Sequence, residues 1–159
     1  METPLRVLLV SEVADETDAR AFVSALALVM PGATMDHFAP SFSFGSVPAW
    51  LVQETRARVD AADAIVCLLG KTSIASAWAT WAITAALDAA KRAGCVRLHS
   101  NAARDVPPPI VGTRHVPVMD AEPSALASFL VDGTVPAERP RPSEPHASGP
   151  LASRFGQRT

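Results

Sequence analysis

The chain has 159 residues, with 14 basic and 16 acidic side chains, a formal net charge of −2 and 48% hydrophobic content. That composition suits one ordinary globular domain, which buries roughly two-thirds of the surface its unfolded chain exposes and so needs neither metal nor disulfide to hold together. No basic run is longer than Lys91-Arg92, which argues against nucleic acid or an anionic membrane surface as the main partner, because counterion release requires clustered cations.

The first element expected is a strand over residues 5–11, Leu-Arg-Val-Leu-Leu-Val-Ser; a run apolar at nearly every position suits a strand covered on both faces. Asp15, Glu16 and Asp18 then supply cap and dipole acids for a helix over Ala19 to Met30, stopped by Pro31-Gly32. Residues 33–38 read as a second strand, followed by a loop, Ala39 to Ser46, that carries Phe42 and Phe44. Pro48 opens a second helix reaching about Asp60, since proline is tolerated in the first turn. Ala64 to Leu69 is the clearest strand, and Gly70 ends it. A third helix is expected from Ala75 or Ser76 to Arg92, with Lys91-Arg92 and Gly94 as its C-terminal signal. Strand four falls at 95–98, and the segment His99 to Arg114, interrupted by Pro107-Pro108-Pro109, reads as a long loop. A fifth strand over His115 to Met119 and a helix over Pro123 to Val131 close the domain.

Strands alternating with helices at this rhythm predict an α/β, flavodoxin-like open parallel sheet of about five strands with helices on both faces. The domain is expected to occupy residues 1–132. The last 27 residues hold five prolines and few aliphatics, too little apolar surface to offset the entropy of ordering, so 133–159 is expected to be a mobile tail. No apolar run exceeds six residues, against about 20 needed to span a bilayer. The start of the chain carries Arg6 and no apolar leader with a small-residue cleavage site, so a cytoplasmic protein is expected. Cys67 and Cys95 have no CxxC partner or His/Cys neighbours in sequence and read as buried thiols rather than metal ligands.

Ligands of open parallel sheets bind outside the carboxyl ends of the strands. That rule selects Ser11 and Glu12 after strand one, Phe42 and Phe44 after strand two, and Gly70-Lys71-Thr72 with Ser76 after strand three. The Gly-Lys-Thr run is no phosphate loop, since the glycine required five residues earlier is Ile65. It stands either as a capped turn or as a phosphate or ribose contact near a helix start. Trp78 and Trp81, three apart at the start of the third helix, either pack that helix onto the sheet or stack on a ligand ring. Glu12 reads as a solvated loop carboxylate or as a ligand contact, and His99 and His115 as structural residues, phosphate contacts or acids. Asp88, about 240° around the helix from position 82, faces elsewhere.

The stretch Ala64 to Ile83, with Ser76, Trp78, Trp81 and Ile83 in place, resembles the TIR-like family that includes the TIR subunit of the Thoeris antiphage system. Val96 to His99 and His115-Val116-Pro117 add to the resemblance, which covers about residues 5–131. It implies a flavodoxin-like fold that cleaves the nicotinamide–ribose bond of NAD+, held as substrate with no further cofactor. The ADP-ribose-derived signal so made would be read by a partner effector, and the loop after strand two would assist self-association. The family's catalytic Glu follows the second tryptophan, and here that position is Ala82. The resemblance therefore implies an inactivated enzyme, with Ala82 an introduced change. The alternatives are a non-catalytic TIR-like interaction module, or a relative of nucleoside deoxyribosyltransferases or response regulators.

Overall fold

A computed structural model describes residues 3–41, 47–70, 77–99 and 116–135. The elements run β1 (Arg6–Val10), a 3-10 turn (Val13–Asp15), α1 (Glu16–Val29), β2 (Thr34–Phe38), α2 (Ala49–Ala61), β3 (Ala64–Leu69), α3 (Ala77–Asp88), β4 (Arg92–Arg97), β5 (Val118–Asp120) and α4 (Pro123–Asp132). The five strands form one sheet in the order β2-β1-β3-β4-β5, and every pairing is parallel. The α/β, flavodoxin-like architecture expected from the sequence is the one observed.

Alternate strand residues sort into two cores. Val7 and Leu9 of β1 with Ala64, Val66 and Leu68 of β3 pack under α1 and α4. Leu8, Val10, Ile65, Cys67 and Leu69 pack under α2 and α3. All six side chains of β3 are buried, as a central strand covered on both faces requires. Cys67 and Cys95 are free, buried thiols on paired positions of β3 and β4. Their mutual hydrogen bond and burial push the Cys95 thiol far above its ordinary range, which makes it unreactive.

The end of α3 differs from expectation. The helix stops at Asp88, and Arg92 and Gly94 lie inside β4. Ala90 takes the left-handed conformation at φ 55°, while the Ala90 and Lys91 amides donate to the Leu87 and Ala86 carbonyls at 3.0 and 2.9 Å. This is the double bond pattern of a Schellman stop, formed without its usual glycine. The two cations instead serve neighbouring helices. Lys91 Nζ donates to the Ala62 carbonyl at 2.8 Å beyond the end of α2, and Arg92 Nη1 donates to the Leu130 carbonyl at 2.8 Å in the last turn of α4. Gly94 is a packing residue: a Cβ there would lie 2.9 Å from Phe129 Cε1 and 3.1 Å from Met119 Cε. The remaining differences are shifts of element ends: α1 begins at Glu16, β4 at Arg92 and β5 at Val118.

α4 ends on Gly133 at φ 81°, and the tail expected beyond it lies, from residue 136 on, outside the described residues. No helix among them is long and apolar enough to cross a membrane.

Candidate active site

In this strand order β1 and β3 are neighbours, yet the helices that follow them pack on opposite faces of the sheet. The chain therefore diverges at their carboxyl ends, where open α/β sheets usually take their ligands. Ser11 and Glu12 follow β1 at that edge. Glu12 is extended, at φ −72° and ψ 146°, and its carbonyl accepts from the Asp15 amide at 3.0 Å, closing the turn. Glu12 is 8% exposed and Asp15 6%.

Both acids depart from the simpler sequence reading. Glu12 is enclosed rather than a solvated loop carboxylate. Asp15 stands at the N-cap of α1 but makes no side-chain cap bond. Its carboxyl group instead lies against the main chain of Gly70, with Cγ 2.1 Å from where a Cβ on that glycine would be. Removing a carboxylate from water costs several kcal/mol by order of magnitude unless the surroundings compensate.

Beside them, the Ser11 amide donates to the Phe38 carbonyl at 3.1 Å, and Ser11 Oγ lies 2.8 Å from His37 Nε2. Burial pushes the His37 imidazole below its ordinary value, against a smaller upward pull from Glu16; Arg20 lowers it further and Asp36 raises it. The fold thus favours the neutral form of His37. On the outer rim, Glu16 pairs with Arg20 and His99 Nε2 meets Asp18 Oδ2 at 3.0 Å, so His99 is held by α1.

Of the residues expected to form the site, Ser11, Glu12 and Gly70 come together at this edge. Phe42, Phe44, Lys71, Thr72, Ser76 and His115 lie outside the described residues. Trp78 is corrected to a core residue: it is 1% exposed, its indole N–H donates to Thr55 Oγ1 at 3.0 Å, and its ring meets Phe38 edge-on at 5.8 Å. No face is left for a ligand ring. Trp81 is only partly buried and lies under the Arg56 guanidinium at 5.7 Å. Ala82 is corrected as well. It is fully buried among Leu8, Ile65, Trp78 and Ile83, because α3 turns positions 78, 79, 82, 83 and 86 toward the sheet, spacings of one helix face. A carboxylate at 82 would enter the hydrophobic interior.

The sequence reading missed Asp15 and His37 as site residues. The signal for His37 was alternation in β2, where Met35 and His37 share one face and Asp36 and Phe38 the other. For Asp15 there was none, since its partner is 55 residues away.

No protein-family model and no curated protein sequence matches this chain. Solved structures do. A 2-desoxiribosyltransferase from Leishmania mexicana superposes with a TM-score of 0.52 at 12% identity, over 81% of this chain and 99% of that one. A GCN5-related glucosamine N-acetyltransferase region of a fungal multi-domain GH3 β-N-acetylglucosaminidase gives a TM-score of 0.42 at 11% identity, over 61% of this chain and 10% of that one. The first likeness is one of fold.

Two surface clefts lie at the opposite end of the sheet. One, of about 410 Å³, is lined by Leu5, Asp63, Lys91 and Arg92; the other, of about 470 Å³, lies between α1 and α4. Lys91 and Arg92 are occupied with helix carbonyls, and neither cleft contains a paired acid.

Proposed function

We propose that this chain is an enzyme of N-glycosidic bond chemistry, acting on a nucleoside or nucleotide at the carboxyl edge of β1 and β3, with Glu12 and Asp15 as its acids. The observation that carries this reading is the pair of carboxyl groups, each less than a tenth exposed, at the carboxyl end of β1, one against Gly70 at the end of β3. When the C1′–N bond breaks, the sugar develops oxocarbenium character and the base departs with the bonding electrons. A held carboxylate stabilises or captures the first, and a proton supplied to the ring nitrogen helps the second. Water or an acceptor base then takes the sugar carbon. Glu12, on the longer side chain, is the group that reaches the anomeric carbon; Asp15, fixed against the main chain, orients or protonates. The same fold carries an enzyme named for transferring a deoxyribosyl group, which supports this chemistry class.

The TIR resemblance supplies a second candidate substrate, NAD+, whose nicotinamide–ribose linkage is itself N-glycosidic, and a context in antiphage signalling through a nucleotide product and a partner effector. The site proposed here differs from the one that resemblance implies: the acids follow β1, and position 82 is core.

Incubation of the protein with adenosine, 2′-deoxyadenosine or NAD+ and chromatography of the released base tests the reading. Release is expected with at least one of them, reduced by Glu12→Gln about 10²- to 10⁴-fold in a protein that still melts normally. Absence of release from all three, or release indifferent to Glu12→Gln, defeats the assignment; the non-catalytic interaction module then stands.

A further inference from the structure

We propose that this protein pairs with a second copy of itself through the outer face of α1 and α4, the two copies related by a two-fold axis and their four helices forming one layer between the two sheets. The pairing is independent of the reaction assigned above.

A helix face left in water carries charges, as α2 does with Glu54, Arg56, Arg58 and Asp60 in its 13 residues. The outer face of α1 departs from that pattern. Its core stripe is Ala19, Phe22 and Leu26, and a second stripe, Ala21, Ser24, Ala25 and Leu28, recurs at i, i+3, i+4 and i+7 on exposed or half-buried positions. In α4, likewise, Leu126, Phe129 and Leu130 are buried, while Ser124, Ala127, Ser128 and Val131 make a second stripe with the same spacing. No charged residue occurs from Ala21 to Met35 or from Pro123 to Val131. A helix apolar on more than one side is one covered on more than one side.

α1 and α4 pack against each other, so the two outer stripes form one continuous surface. Of the six large apolar side chains exposed among the described residues, three, Leu28, Val29 and Val131, lie here, Leu28 at 83% and Val131 at 69% exposure. Beside them is the cleft of about 470 Å³, lined by Val29, Ala127 and Val131 among others. A projecting Leu28 and a neighbouring apolar hollow on one face are the two halves of a self-complementary contact, since a two-fold axis lets each copy's Leu28 fill the other's cleft. The lack of charge selects the same occupant. A different protein is ordinarily steered and chosen by complementary charges, and these stripes offer none; two copies set face to face meet no like-charge repulsion, and homodimer interfaces are the more apolar class. Asp132, the one charge among the described residues lining the cleft, is exposed at the end of α4 and stays in water. Helices of 14 and 10 residues side by side present a face of roughly 20 by 20 Å, about half of what each partner buries in a standard interface. The pairing is therefore a weak one.

Sedimentation velocity of the full chain over about 1–500 µM should show monomer passing to dimer with a Kd of about 1–100 µM. Leu28→Glu and Ser128→Glu, both at exposed positions, should each weaken pairing by about tenfold or more while the dilute proteins melt at the native temperature. Trp50→Glu, which changes an exposed apolar side chain on α2, should leave pairing as it was. Amide spectra of the native protein should shift with concentration at 21–29 and 124–132, and those of Leu28→Glu should not. A native protein that stays monomeric across the range overturns the proposal and leaves the face to another occupant, such as residues 136–159 of the same chain or a different protein. A dimer that survives both glutamate substitutions, or concentration-dependent shifts confined to other elements, overturns it as well by moving the contact elsewhere.

Discussion

Asp15 and Gly70, 55 positions apart, occupy each other's space: a Cβ on the glycine would lie 2.1 Å from the Asp15 Cγ and 2.3 and 2.4 Å from its two carboxyl oxygens. The glycine at the end of β3 is therefore what allows a buried carboxyl group to sit at the sheet's switch point. Local turn geometry alone does not explain the residue; a side chain arriving from β1 does.

Gly70→Ala should expel the Asp15 carboxyl group and cost about 1–3 kcal/mol, the usual range for overpacking a closed site. Base release should fall with it. Asp15→Ala in the same chain should recover the stability and leave the activity lost, a non-additivity that urea titrations of the two single variants and the double variant would read directly.

At position 82 the structure and the family resemblance lead to opposite results. Ala82→Glu should place an uncompensated carboxylate among Leu8, Ile65 and Trp78 and cost about 3–5 kcal/mol or prevent folding. A soluble Ala82→Glu protein that melts normally and releases nicotinamide from NAD+ would move the catalytic acid back to α3.

Ala90 holds a left-handed φ of 55° that glycine adopts without a Cβ penalty. Ala90→Gly should therefore stabilise the protein by about 0.5–1 kcal/mol despite the greater freedom of the unfolded chain, because the strain relieved is about 1–2 kcal/mol. Thermal and urea unfolding should both shift upward. Unchanged or lower stability would mean that the stop of α3 is not strained by its alanine.

Burial lowers the His37 pKa in the folded protein, so the unfolded chain binds a proton that the native one does not. The resulting contribution to stability is complete above the ordinary imidazole value and is lost as the pH falls through it toward the lowered one. Urea midpoints compared over about pH 5 to 8 should fall more steeply on acidification in the native protein than in His37→Gln. Parallel curves would show that the imidazole is not protected from protonation by the fold.

The ordering of strands and helices was legible in the chain itself. Ala64 to Leu69 read as a strand covered on both faces and Pro48 as the opening of a helix, and both stand where they were expected. The alternation from β1 to α4 then left a parallel sheet as the economical answer. The edge proposed for the chemistry was singled out from the chain as well, since Ser11, Glu12 and Gly70 follow the ends of strands. Periodicity, proline and glycine act over a few residues, and those effects are written locally.

What tertiary structure decided is every question of what a side chain faces. Gly94 resembled a helix stop until Phe129 was found where its Cβ would be. Lys91 and Arg92 resembled the end of α3 until they were found capping α2 and α4. Trp78 and Ala82 matched a family pattern by spacing, yet both turn into the core. Asp15 had every local mark of a helix cap and instead lies against Gly70. Burial and partnership are set by residues distant in sequence, brought together only when the sheet closes, and no local pattern encodes them.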